Sequence, residues 1–133
     1  MKRIIALMIV MLVLLSACAT PTSLVDTKWQ LANLDGKPAL AGVTVTLNFG
    51  KDAIGGIDGC NSYGGSYTAG ESEIKFHDDI FHTEMFCTDE IAAQSTAYYA
   101  VVKQTSVYQV DSQLLALFNA DGKKLAEFIP VKE

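Results

Sequence analysis

Basic residues are few in this chain and nowhere clustered, histidine occurs twice, and cysteine three times. Lysine and arginine together number 10 against 15 aspartates and glutamates, a net charge of −5. Without a basic patch there is no electrostatic footprint for nucleic acid, and none for docking on anionic lipid. Two histidines and three cysteines leave little material for a thiol nucleophile with its base or for a metal cage. Also missing is an apolar run of the roughly 20 residues that a membrane-spanning helix needs. The run Ile4 to Leu14 is far shorter.

What the N-terminus does hold is a short positive region, Lys2 and Arg3, followed by that apolar run and by Leu15-Ser16-Ala17-Cys18. This order is that of a signal peptide over residues 1–17. The small residues before Cys18 resemble a bacterial lipobox, which implies cleavage ahead of Cys18 and lipidation of that cysteine. Several acyl chains anchor stably where one does not. Ala at position 19, in lipoproteins of this type, implies outer-membrane sorting with the domain facing the periplasm. Losing Lys2 and Arg3 takes the net charge to −7. Residues 18–26 read as the lipidated N-terminus and a small, polar tether, and 27–133 as one domain. In that oxidising compartment Cys60 and Cys87, an isolated pair, are expected to be bridged. Closing such a loop would stabilise the fold by ~3.5 kcal/mol on chain-entropy grounds.

Along the domain the dominant period is two. Val43, Val45, Leu47 and Phe49 alternate with Thr44, Thr46 and Asn48, the pattern of a half-buried antiparallel strand. A strand carrying Trp29 and Leu31 precedes it, and a short one follows around Ile74 and Phe76. Residues 106–131 divide into three strands, joined at Asp111-Ser112 and at Asn119-Ala120-Asp121-Gly122, where Asp-Gly tolerates positive φ. One segment departs from this. Thr88 stands as a helix N-cap with Asp89 and Glu90 in the first turn, and Ile91, Ser95, Tyr98 and Val102 recur at helical spacing. The expected helix runs from near Asp89 to near Gln104. The fold class is therefore mainly β: a small antiparallel barrel or roll of about eight strands with one α-helix inserted before the C-terminal strands.

The stretch Gly56 to Gly70 is rich in glycine and invites three chemical readings. Gly59 to Ser66 has P-loop spacing, but Gly65 stands where the lysine belongs, and a strand rather than a helix follows. A thiol nucleophile at Cys60 lacks a base, because His77 and His82 fall at odd separation and face opposite sides of an extended segment. The same parity disfavours a metal site from His77, Asp79, His82 and Glu84. The stretch reads instead as architecture: Gly55-Gly56 and Gly64-Gly65 mark two bent strands around a turn at Gly59-Cys60-Asn61. Tyr63 and Tyr67 share parity and are expected on one face, with Ile57 of the preceding strand. No catalytic, cofactor or metal residues emerge.

Five pieces occur in order: a tryptophan-led WQLANLDG, VTLNF, GCNSYGGSY, TEMFC ahead of the helix, and LALFNADGKKLAEF. This arrangement resembles the META domain family, in the version typified by a heat-inducible bacterial lipoprotein (HslJ-like), over about Thr27 to Phe128. The resemblance implies a compact, mostly antiparallel β fold with one helix in an envelope setting, associated with heat or envelope stress. It transfers Gly59, Cys60, Asn61, Gly64, Tyr67 and Cys87 as a structural signature and no catalytic residue. The expected function is non-enzymatic, through binding of an envelope protein or small ligand. A lysozyme or hydrolase inhibitor and a lipocalin-like carrier stand as alternatives.

Overall fold

The computed structural model describes residues 23–132, so Cys18 and the expected leader lie outside the described residues. In chain order the elements are β1 (Thr27–Leu34), β2 (Lys37–Pro38), β3 (Thr46–Phe49), β4 (Ala53–Ile57), β5 (Ser62–Ala69), β6 (Ile74–Phe76) and β7 (Phe81–His82). The helix α1 (Asp89–Gln104) follows, then β8 (Val107–Val110), β9 (Leu115–Phe118) and β10 (Lys124–Pro130). Eight antiparallel strands lie in the order β6-β5-β4-β3-β1-β10-β9-β8, with β2 on β1 and β7 on β5. The ends of this sheet meet. The Tyr108 amide donates to the Ser72 carbonyl at 2.8 Å and the Ile74 amide to the Ser106 carbonyl at 3.1 Å. The sheet is nearly closed into a barrel, which covers the open edges that otherwise recruit foreign strands.

The alternation read in the sequence sets the inward face. Val45, Leu47 and Phe49 point inward and are buried, and so are Trp29 and Leu31 on the neighbouring β1. A bulge between Leu31 and Asn33 then shifts β1 by one residue, so that Leu34 turns inward in its place. A second bulge between Lys124 and Ala126 leaves both Leu125 and Ala126 buried on β10.

α1 occupies the expected span, and Thr88 stands at its N-cap without a side-chain capping bond. Tyr98, Val101 and Val102 are its buried residues. Side chains fill the barrel interior: Leu47, Tyr98, Leu115, Leu117 and Phe128 are fully buried. Burying Phe128 alone contributes about 2–3 kcal/mol.

Both described ends of the chain lie on one side. Leu24 is buried, with Ser23 to Val25 and Thr68 to Gly70 lining the same surface depression. The Val131 amide donates to the Lys28 carbonyl at 3.0 Å.

Candidate functional site: the Gly59–Asn61 turn and the loop it holds

The β4–β5 hairpin is bent hard around its glycines. A Cβ on Gly56 would stand 2.1 Å from the Thr46 carbonyl oxygen, so β4 can cross β3 this closely only without a side chain there. Across the hairpin Gly55 pairs with Gly64 and Ile54 with Gly65. Gly64 lies beneath the Phe81 ring, whose nearest atom is 2.8 Å from the position a Cβ would take. Tyr67 turns inward, meets Phe49 edge-on at 5.1 Å, and donates from its hydroxyl to the Gly50 carbonyl at 2.9 Å.

The turn itself is built on Asp58, which sequence reasoning passed over. Its Oδ1 accepts the backbone amides of Cys60 at 2.9 Å and Asn61 at 2.6 Å. Its Oδ2 accepts the hydroxyls of Ser95 and Tyr99 on α1, each at 2.8 Å. One carboxylate thus closes the turn and fastens the helix to it. The group is fully buried, and burial opposes its charge, but these four bonds outweigh that and hold its pKa below the usual aspartate value. An Asp ahead of Gly-Cys-Asn has the chemistry of an Asx turn, and that was the available signal.

Gly59 takes φ +101° and approaches Val43 so closely that a Cβ would stand 2.7 Å from Val43 Cγ1. Cys60 and Cys87 stand at disulfide distance, with Cα atoms 6.0 Å apart. Asn61 is buried, and its Oδ1 accepts the Met85 amide at 2.7 Å and the Thr83 hydroxyl at 3.0 Å. The Thr83 amide in turn donates to the Ser62 carbonyl at 3.0 Å. So the GCN and TEMFC pieces, distant in sequence, hold each other: a side-chain amide and a cysteine pair pin Thr83 to Cys87 against the turn.

Behind the turn lies an aromatic cluster. The Tyr63 and Tyr98 hydroxyls are 2.6 Å apart, and Tyr63 also donates to the Thr46 carbonyl at 2.7 Å. Burial first, and then neighbouring phenols and Asp58, push the Tyr98 hydroxyl far above its usual pKa. His82 stacks on Tyr99 with centroids 5.2 Å apart.

His77 and His82 do not diverge as parity alone predicts. β6 ends at Phe76, the chain bends through 77–80, and both histidines then line a surface cleft of about 260 Å³ with Phe76, Ile80, Tyr99 and Lys103. Among the described residues no three His, Cys, Asp or Glu side chains converge as a metal-holding cluster.

Ile57 also departs from expectation. Its partner across the hairpin is Ser62, not Tyr63, so it faces outward while both tyrosines face the core. Phe81, opposite Gly64, shares that outward face. Phe81 is 69 %, Met85 65 % and Phe86 100 % exposed, the most exposed large apolar side chains of the described residues.

The META domain matches residues 22–131 of the chain. Among curated proteins none matches. A protein solved by NMR shares 20% identity at a TM-score of 0.65, covering 84% of this chain and 95% of its own. An NMR structure of a Burkholderia xenovorans protein shares 22% at 0.63, covering 89% and 94%. The crystal structure of a DUF4847 family protein from Bacteroides vulgatus shares 12% at 0.63, covering 83% and 96%. These likenesses describe the fold.

Proposed function

This chain belongs to the META domain family, and we propose from that premise that it is an envelope lipoprotein whose domain binds rather than catalyses. Anchored through Cys18 in the outer membrane and facing the periplasm, it would contribute to heat or envelope stress tolerance by engaging a protein. The observation that carries this reading is where the family signature spends its polar groups. Asn61 and the two cysteines, with Asp58 beside them, bond one another's segments, and the product is a firmly held loop with bare apolar side chains. A carrier with an enclosed ligand fits less well, because Leu47, Tyr98, Leu115, Leu117 and Phe128 occupy the interior.

A deletion strain complemented with the wild-type chain or with Cys18→Ser tests the reading. Survival at raised temperature is expected to fall on deletion and to return with the wild type. The Cys18→Ser chain is expected to leave the membrane fraction and to restore survival poorly. Full survival of the deletion strain, or substrate turnover abolished by changing one polar residue, would remove it.

A further inference from the structure

The exposed apolar side chains gather around one end of the β4–β5 hairpin. Ile57, Ser62, Gly64 and Phe81 lie on one outward face of neighbouring strands, with the Phe81 ring laid over Gly64. Met85 and Phe86 extend it from the loop beside Asn61. Monomeric proteins scatter exposed apolar residues singly, and contiguous groups mark contact surfaces. Phe86 is entirely exposed, so its ring contributes nothing to this fold. The backbone beneath it is already ordered by Asn61 and the cysteine pair, which lowers the entropic cost of binding through it.

Charge selects the occupant. From Phe76 to Val102 the chain has no lysine or arginine, while Asp78, Asp79, Glu84, Asp89 and Glu90 are all exposed. Along the outward row Lys28-Asn48-Gly55-Gly64-Phe81, Lys28 stands four strand spacings or about 19 Å from Phe81, and Lys75, opposite Thr68, stands four residues or about 13 Å along β5, while Lys103 lies in the cleft beside His82. Lys28 and Lys75 are thus beyond the screening length of about 8 Å at physiological salt, and the five exposed carboxylates outnumber the one remaining cation, Lys103. An acidic rim repels an anionic lipid surface, and it repels a second copy of itself. The place where the chain enters the fold, beside Thr68, also lies about 20 Å along β5 from Asn61. An anchor on the N-terminal side therefore leaves the Phe86 loop at the end of β5 opposite the one the anchor enters.

We infer that Ile57, Phe81, Met85 and Phe86 form a docking surface for a basic protein, one presenting an apolar depression flanked by lysines or arginines. Phe86 enters the depression, and Glu84, Asp89 and Glu90 face the cations. The inference rests on the binding role proposed above and names the surface and the chemistry of its partner.

Benzoylphenylalanine placed at Phe86, and separately at Glu71 near the entering chain, tests this in cells of the source organism making the full-length protein. Ultraviolet light is expected to join position 86, and not 71, to a protein of basic composition. The purified pair is expected to weaken about tenfold or more on Phe86→Asp, and to weaken as salt rises, with the melting temperature of the variant unchanged. Adducts at 86 with lipid, with a second copy or with an acidic protein would overturn the inference. So would no adduct at 86, or an affinity indifferent to Phe86→Asp. A Phe86→Asp strain compared with the deletion strain separates the two readings. Deletion sensitive and Phe86→Asp resistant removes this surface and leaves the envelope role, whereas a resistant deletion strain removes both.

Discussion

Among the described residues, the Asp58 side chain makes the most hydrogen bonds, two to the turn and two to the helix. Truncation to alanine leaves two turn amides and two helix hydroxyls without an acceptor, and an unsatisfied buried donor costs about 1–3 kcal/mol. Because the hydroxyls can turn elsewhere, we expect Asp58→Ala to lose about 3 kcal/mol in urea unfolding. The loss is pH-dependent, since the folded pKa lies below the unfolded value of about 3.9. The stabilisation is complete above that value and disappears as pH falls through the folded pKa. Measured at successive pH values, the gap between wild type and Asp58→Ala should narrow on acidification. A gap that stays constant would mean the carboxylate's charge is immaterial. Gly56→Ala is the complementary case, with no cavity and no lost bond. Its methyl would meet backbone at 2.1 Å, so β3 and β4 must separate. A cost of about 4 kcal/mol or more is expected, read as a chain that fails to give a cooperative melt.

Among the elements, the helix was the most legible, because its period and its acidic first turn need no tertiary information. The strands of β1, β3 and β10 were legible for the same reason. Their bulges were not, because a one-residue slip is decided by the partner strand. The outward turn of Ile57 was hidden likewise: parity within a strand is visible, but parity across a glycine turn depends on which residues pair. The histidine cleft escaped because the bend at 77–80 breaks the alternation that the parity argument assumed. The TEMFC segment was recognised as a motif, yet its bond to Asn61 joins residues far apart in sequence. Replacing both Cys60 and Cys87 by serine should lower stability by about 3 kcal/mol. It should also speed hydrogen exchange at the Met85 amide, which then depends on Asn61 alone. Unchanged exchange there would show that the cysteine pair does not hold the loop.

Over the whole molecule, barrel closure is uneven. Between β6 and β8 the seam has the amides of Tyr108 and Ile74, whereas β1 is flanked by full ladders on both sides. Native-state hydrogen exchange should show Tyr108 and Ile74 opening at lower free energy than Leu31, whose amide donates to the Val45 carbonyl at 2.9 Å. Equal protection would mean that the barrel opens only as a unit.

The contact of Val131 with Lys28 sets a different kind of limit on the molecule. With head and tail of the folded region side by side, a short peptide could join them and new termini be cut in the Asn119–Gly122 turn without disturbing a strand. Such a permutant would keep the Phe86 loop intact while moving the proposed anchor from the opposite end. If the chain is anchored as proposed, orientation relative to the membrane then becomes an independent variable.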